Sequence, residues 1–173
     1  LYKQSYTQLI RFSLNNSILD FYFNPKYGKE WDINDQYLET LFRVLSIDNI
    51  LIAWRGLLLE KKLFLICSSK ETLLQVSHGL ITLLFPFKWI HTYIPILPQK
   101  LKAFIDSPMP LIFGIPFDID INDLPDDGLI LNINKNLYEK YTEEVPKLSG
   151  KLQAFFVRKL NQFKEKYKIE ENR

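Results

Sequence analysis

Five consecutive apolar residues, Leu63-Phe64-Leu65-Ile66-Cys67, stand between two stretches of helical periodicity, and few folds accommodate that arrangement. A strand with one wet face alternates apolar and polar residues. An unbroken apolar run needs cover on both faces, as in a parallel sheet lying between helices. Upstream, Ile50, Ala53, Trp54, Leu57 and Leu58 fall on one side of a helix predicted over residues 50–60, with Ser46 or Asp48 placed to cap it. Downstream, Leu73, Leu74, Val76, Leu80, Ile81, Leu83 and Leu84 predict a helix over residues 71–84, capped by Ser68 or Ser69 and stopped by Pro86.

The same alternation continues along the chain. Residues 93–97 read as a second strand, which Pro95 marks as an edge. Residues 98–105 read as a short helix with Pro98 in its first turn and Leu101, Phe104 and Ile105 facing inward. Residues 111–115 form a third apolar strand, an acidic loop covers 118–127, and Gly128 opens a fourth strand over 129–133. Near the start, residues 17–23 suit a strand, and residues 2–14 fit either a helix or a loop and a strand. Tyr37, Leu38, Leu41, Phe42 and Leu45 give a helix over 35–45, behind Asn34 or Asp35 as cap. Past Asn136 the character changes: Leu148, Leu152, Phe155, Phe156, Leu160, Phe163 and Tyr167 make a long amphipathic helix with a lysine-rich polar face.

The expected fold class is therefore α/β, a layered and largely parallel sheet with helices on both faces, plus a C-terminal amphipathic helix. The expected organisation is an N-terminal extension over residues 1–40, an α/β domain over 41–136 and a helical appendage over 137–173.

Composition excludes several classes of function. Apolar residues make up 47% of the 173 and aromatics 14%, ample for a packed core. A net charge of +2, with no stripe in which basic and aromatic residues interleave, speaks against a nucleic-acid groove. No apolar run approaches the roughly 20 residues of a membrane span, and no secretory leader is evident. A cytoplasmic, soluble protein is expected, and the single cysteine, Cys67, fits a reducing compartment. Leu1 in place of an initiator methionine suggests a piece of a longer protein.

Motifs for chemistry are wanting. None of the 6 glycines follows a strand in a phosphate-cradling pattern. Asp118, Asp120, Asn122 and Asp126 begin like a calcium loop, but Asp123 stands where glycine is needed and Leu129 where a bidentate glutamate belongs. His78, His91 and Cys67 lack zinc-site spacing, and Cys67 in an apolar strand reads as an inert thiol. No cofactor, metal or covalent catalysis is expected.

The most informative stretch is LLFPFKWIHTYIPILP at residues 83–98, which packs Phe85, Phe87, Trp89, Tyr93 and three prolines into one helix-to-strand connection. Read structurally, it is a stiff crossover with Phe85, Phe87 and Ile94 buried. Together with LLLEKKLFLICS (57–68), SPMPLIFGIP (107–116) and Leu45, Ser46, Asn49 and Ile50, it resembles, in order and spacing, the central segment of DENN domains. The resemblance runs from about Leu41 to Asn134. It implies a fold of two lobes, a longin-like upstream part and this α/β part followed by helices. It also implies an activity, since many members are guanine-nucleotide exchange factors for Rab GTPases and others work in complexes regulating further small GTPases.

Two departures stand out: Asn132 and Asn134 occupy places where the family strand is usually rich in Asp, and the residues before Leu41 are few for a longin lobe. Partner contact is expected from exposed aromatic and basic tips, with Lys61, Lys62, Lys88, Trp89 and His91 as candidates beside the acidic loop. Ordinary solvation is the alternative for Lys61 and Lys62, and a place in the core is the alternative for Trp89. The stripe of Leu152, Phe155, Phe156, Leu160 and Phe163 raises a different reading, a scaffold piece whose helix another subunit covers. Lys147, Lys151, Lys159, Lys164, Lys166 and Lys168 also allow contact with anionic lipid, diluted by Glu165, Glu170 and Glu171.

Overall fold

The structure, a computed structural model, describes residues 8–14, 17–23, 35–141 and 145–170. The chain divides into two units, Leu1–Asp35 and Gln36–Arg173. In the first, β1 (Gln8–Leu14) and β2 (Ser17–Phe23) pair antiparallel, from Gln8 opposite Phe23 to Leu14 opposite Ser17. The open reading of residues 2–14 thus resolves to a strand for its described part.

In the second unit, α1 (Asp35–Val44) and α2 (Ile47–Leu58) precede β3 (Lys62–Ile66), α3 (Lys70–Thr82) and β4 (Thr92–Ile94). A 3-10 helix, Gln99–Asp106, leads to β5 (Leu111–Ile115), and a short one, Ile121–Asp123, to β6 (Gly128–Asn132). Last come β7 (Leu137–Tyr141) and α4 (Gly150–Lys166). Serine hydroxyls start both central helices as the sequence predicts: Ser46 Oγ accepts from Asn49 N at 3.3 Å and Ser69 Oγ from Thr72 N at 3.2 Å.

One five-stranded sheet, in the order β4-β5-β3-β6-β7, organises this unit. Its first four strands are parallel; β7 runs antiparallel to β6. The period of two then sorts side chains onto two faces. Leu63, Leu65, Ile112, Leu129 and Leu131 lie on the side covered by α2 and α3. Phe64, Leu111, Phe113, Ile115 and Ile130 pack on the other, under Leu97, Ile105 and Leu124, with Phe117, Ile119 and Ile121 partly buried against them. The loop of acidic residues thus hangs its apolar members into the core and leaves its carboxylates outside.

Close approach fixes one glycine. A Cβ on Gly114 would stand 1.9 Å from the Pro95 carbonyl oxygen and 3.4 Å from Leu73 Cβ. Leu97 N also donates to Gly114 O at 2.7 Å, so the segment after β4 lies directly against β5.

Four expectations need correction. The sequence reading has no strand after residue 133, yet β7 extends the sheet; its five residues do not alternate cleanly, and the ladder with β6 is irregular at Ile130 and Leu131. Of the three residues expected to face inward from the segment after Pro98, only Ile105 is buried, while Leu101 and Phe104 are exposed. Leu101 has non-helical backbone angles, at φ -101 and ψ 17, which kink the segment into two short 3-10 turns, so no single helical face carries Leu101, Phe104 and Ile105 inward together. Phe85 and Phe87, expected under the sheet, are both more than half exposed, because α3 ends at Thr82 and the connection turns outward before it reaches the sheet. Lys62, expected as an exposed tip, is buried on β3.

α4 lies along α2 through aromatic contacts. Phe156 sits 5.1 Å from the Trp54 ring, and Phe163 sits 5.4 Å from Phe42 of α1. Leu152, one turn before Phe156 on the same face, and Phe155 beside it remain exposed.

Candidate partner-binding site

At the N-terminal ends of the parallel strands, two turns come together. The first closes α2: Glu60 N donates to Leu57 O at 3.1 Å and Lys61 N to Gly56 O at 2.9 Å, the two bonds of a Schellman motif. Glu60 occupies the left-handed position of that motif, at φ 54. The second turn is the crossover from α3 to β4. It is anchored at its start by Trp54, whose Nε1 donates to Leu83 O at 3.0 Å, and by the buried side chain of Leu84.

Between the turns lies a cleft of about 250 Å³ lined by Leu57, Leu58, Glu60, Leu84, Phe87, Lys88, Trp89, Ile90 and His91. Phe87 is 54% exposed and Ile90 80%, an unusual display of apolar surface on so short a segment. Trp89 is half-buried; its Nε1 donates to Thr92 O at 3.2 Å and its ring meets the His91 ring edge-on at 5.2 Å. His91 Nε2, shielded from water, stands 3.1 Å from a Glu60 carboxylate oxygen, close enough for an ion pair but off the line of a hydrogen bond.

The sequence candidates therefore fall in two places. Lys88, Trp89 and His91 share this cleft, and Lys61 follows Glu60 in the turn beside it. Lys62 differs: its ammonium is 2.8 Å from Asp127 Oδ2, where β3 and β6 begin side by side. Its charge is committed within the fold. Sequence reasoning missed Glu60, Phe87, Ile90 and Leu58 as members of the site. None of these carried a readable signal: Glu60 falls at the end of the helix predicted over residues 50–60, and the others are apolar residues of core type.

A second cleft, about 490 Å³, opens at the opposite, C-terminal ends of β3 and β6. The chain leaves β3 toward β4 and leaves β6 toward β7, in opposite directions across the sheet, so a crevice forms between them. Cys67, Ser69, Thr72, Asn134 and Asn136 line it with Lys135. Cys67 Sγ donates to Asn134 Oδ1 at 3.1 Å; burial pushes the thiol up, and a backbone hydrogen bond at Ser69 offsets part of that. Lys135 is held by Glu139 at 2.7 Å, a bond that, with a smaller contribution from Asn132, keeps the Glu139 carboxyl below its ordinary range.

The asparagines at the end of β6 have structural reasons. Asn132 donates through Nδ2 to Glu139 at 3.0 Å and accepts from Lys135 N at 3.2 Å, a pairing of donor and acceptor that an ionised Asp could not make. Asn136, at φ 50, accepts Ser46 N at 3.0 Å and Asn49 Nδ2 at 2.8 Å on its Oδ1. The Leu45, Ser46, Asn49 and Ile50 motif is thereby tied to the turn between β6 and β7.

Among the described residues, no cluster of three or more His, Cys, Asp or Glu side chains is arranged to hold a metal ion, and no helix is long and apolar enough to cross a membrane. The fold is a mostly parallel five-stranded sheet with helices packed on it, and a cleft opens between two turns at one end of the strands. Residues 6–136 match the DENN (AEX-3) domain family, and the chain belongs to it. The match begins well upstream of Leu41, where the motifs become legible.

Among its relatives, DENN domain-containing protein 2C of Homo sapiens is 32% identical over 139 residues, 76% of this chain and 15% of that protein. DENN domain-containing protein 1A of Homo sapiens is 32% identical over 114 residues, 64% of this chain and 11% of that protein. A fungal relative, elicitor of plant defense protein 1 of Gibberella zeae, is 33% identical over 106 residues, 61% of this chain and 9% of that protein. The chain thus spans only a small fraction of the length of the relatives it matches.

Proposed function

We propose that this chain is a DENN-type regulator of small GTPases that promotes GDP release from a Rab GTPase, acting in the cytoplasm and peripherally on membranes during vesicle traffic. Exchange of this kind needs no acid, base or metal. The regulator binds the nucleotide-free GTPase better than the loaded form, and by reciprocity each ligand weakens the other. A hundredfold weakening of nucleotide affinity corresponds to a coupling of about 2.7 kcal/mol, within reach of one modest interface.

The observation that carries the reading is membership of the DENN family over residues 6–136. The contact surface we assign to it is the cleft at the N-terminal ends of the strands. Trp89 and His91 form its floor, Phe87 and Ile90 supply apolar anchors, and Lys61 and Lys88 lie at its rim. Lys62, bound to Asp127, frames the surface from within the sheet. The Trp89 indole donates to Thr92, three residues on at the start of β4, and its ring is half-buried, so its truncation should spare the fold. The test is capture of nucleotide-free Rab GTPases by the chain and by Trp89→Ala. The variant should lose binding while its melting temperature stays nearly unchanged; a large fall in melting temperature would assign Trp89 to the core instead.

A second reading draws on the exposed Leu152 and Phe155 of α4. In it the chain is a scaffold subunit whose last helix another subunit covers, without exchange activity. A monomer with a protease-sensitive C-terminus would count against that reading.

A further inference from the structure

We infer that Glu60 is a positioning residue for the partner surface, orienting His91 and, through it, Trp89; this rests on the assignment of that surface above. Three observations meet at Glu60. It holds the left-handed position of the Schellman motif that ends α2, at φ 54. Glycine is the usual occupant there, because a Cβ is strained in that region. Nothing in the turn itself asks for a carboxylate, since both of its bonds are made by main-chain atoms.

The side chain, by contrast, has a definite task. Its oxygen lies 3.1 Å from His91 Nε2, a nitrogen cut off from water and without an aligned hydrogen-bond partner. The imidazole in turn supports the Trp89 ring edge-on at 5.2 Å. A strained residue kept where glycine would serve the fold better points to function when its side chain reaches a candidate site. The groups facing His91 are Glu60 from the α2–β3 turn and Trp89 from its own segment, with Lys88 lining the same cleft. The carboxylate oxygen, 3.1 Å from the ring nitrogen, is the polar neighbour that holds the imidazole in its orientation.

The consequence is a split between stability and binding that a purely structural role would not give. Glu60→Gly relieves the backbone and removes the carboxylate, whereas Glu60→Gln keeps the strain and removes only the charge. The melting temperature of the glycine variant should hold or rise by about 3 °C, and that of the glutamine variant should hold. In both, the Trp89 indole and His91 ring resonances in NMR spectra of the full chain should move, and capture of nucleotide-free GTPase should weaken about tenfold.

Resonances that stay in place in both variants would overturn the inference. So would a melting temperature that falls in step with binding, which would make Glu60 a residue of the fold. If the unaltered chain captures no GTPase, the functional reading fails on that result alone, and the resonances still decide whether Glu60 orients the two rings.

Discussion

Replacing Asn136 by alanine removes the acceptor on which the start of α2 and the turn after β6 meet. Its Oδ1 accepts Ser46 N at 3.0 Å and Asn49 Nδ2 at 2.8 Å, while its main-chain oxygen also takes Asn49 Nδ2 at 2.7 Å. The main-chain bond survives substitution, so alanine forfeits the two side-chain bonds. At this solvent-exposed site each contributes about 0.5–1 kcal/mol. Alanine must also hold φ near 50, which asparagine tolerates and alanine does not, at a cost of about 1 kcal/mol. The sum is about 2–3 kcal/mol, or a fall in melting temperature of roughly 4–12 °C for a chain of this size.

Glycine forfeits the same bonds without the strain and should lose about half as much. Aspartate keeps the acceptor and the backbone preference and should stay within about 0.5 kcal/mol of the parent. Thermal and urea unfolding of the four proteins should rank them Asn, Asp, Gly, Ala. An alanine variant as stable as the parent, or no more perturbed than glycine, would refute the reasoning.

Other consequences are equally open to measurement. Gly114→Ala places a Cβ 1.9 Å from the Pro95 carbonyl, whose segment is pinned by Leu97, and should cost about 3 kcal/mol in chemical denaturation. An alanine variant of unchanged stability would mean that the segment after β4 does not press on β5. Asp127→Ala, which strands the buried ammonium of Lys62, should destabilise by about 2 kcal/mol, more than Lys62→Met, which leaves only a half-exposed carboxylate unpaired. The reverse order in urea titrations would contradict the pairing. Cys67, whose thiol burial holds in the protonated form, should react with iodoacetamide at pH 7.5 at least about tenfold more slowly than in the urea-unfolded chain. Equal rates would show the thiol to be open and activated.

The central sheet is legible in the sequence because its strands are buried on both faces. Leu63–Cys67 and Leu111–Ile115 can be read as apolar runs without knowing what covers them. β7 is not legible in that way: its pairing partner is β6, and its own residues carry little pattern. The crossover misleads for a related reason. Phe85, Phe87 and Ile90 are the residue types of a core, and only the early end of α3 at Thr82 puts them outside.

The candidate site was half visible. Trp89 and His91 stand out as amphipathic residues in a connection, but Glu60 acquires its meaning from a backbone angle and a distance to a residue 31 positions away, neither of which periodicity encodes. Lys62 reads as a surface lysine beside Lys61, and its burial depends on Asp127, which the register between β3 and β6 brings to it.

The most direct test of the proposed activity is the release rate of a fluorescent GDP analogue from a panel of Rab GTPases with and without this chain. At least one Rab should release its nucleotide faster in the presence of the chain, and Trp89→Ala should abolish the effect. Unchanged release from every Rab tested would contradict the exchange activity and favour the scaffold reading, in which α4 seeks a stable partner.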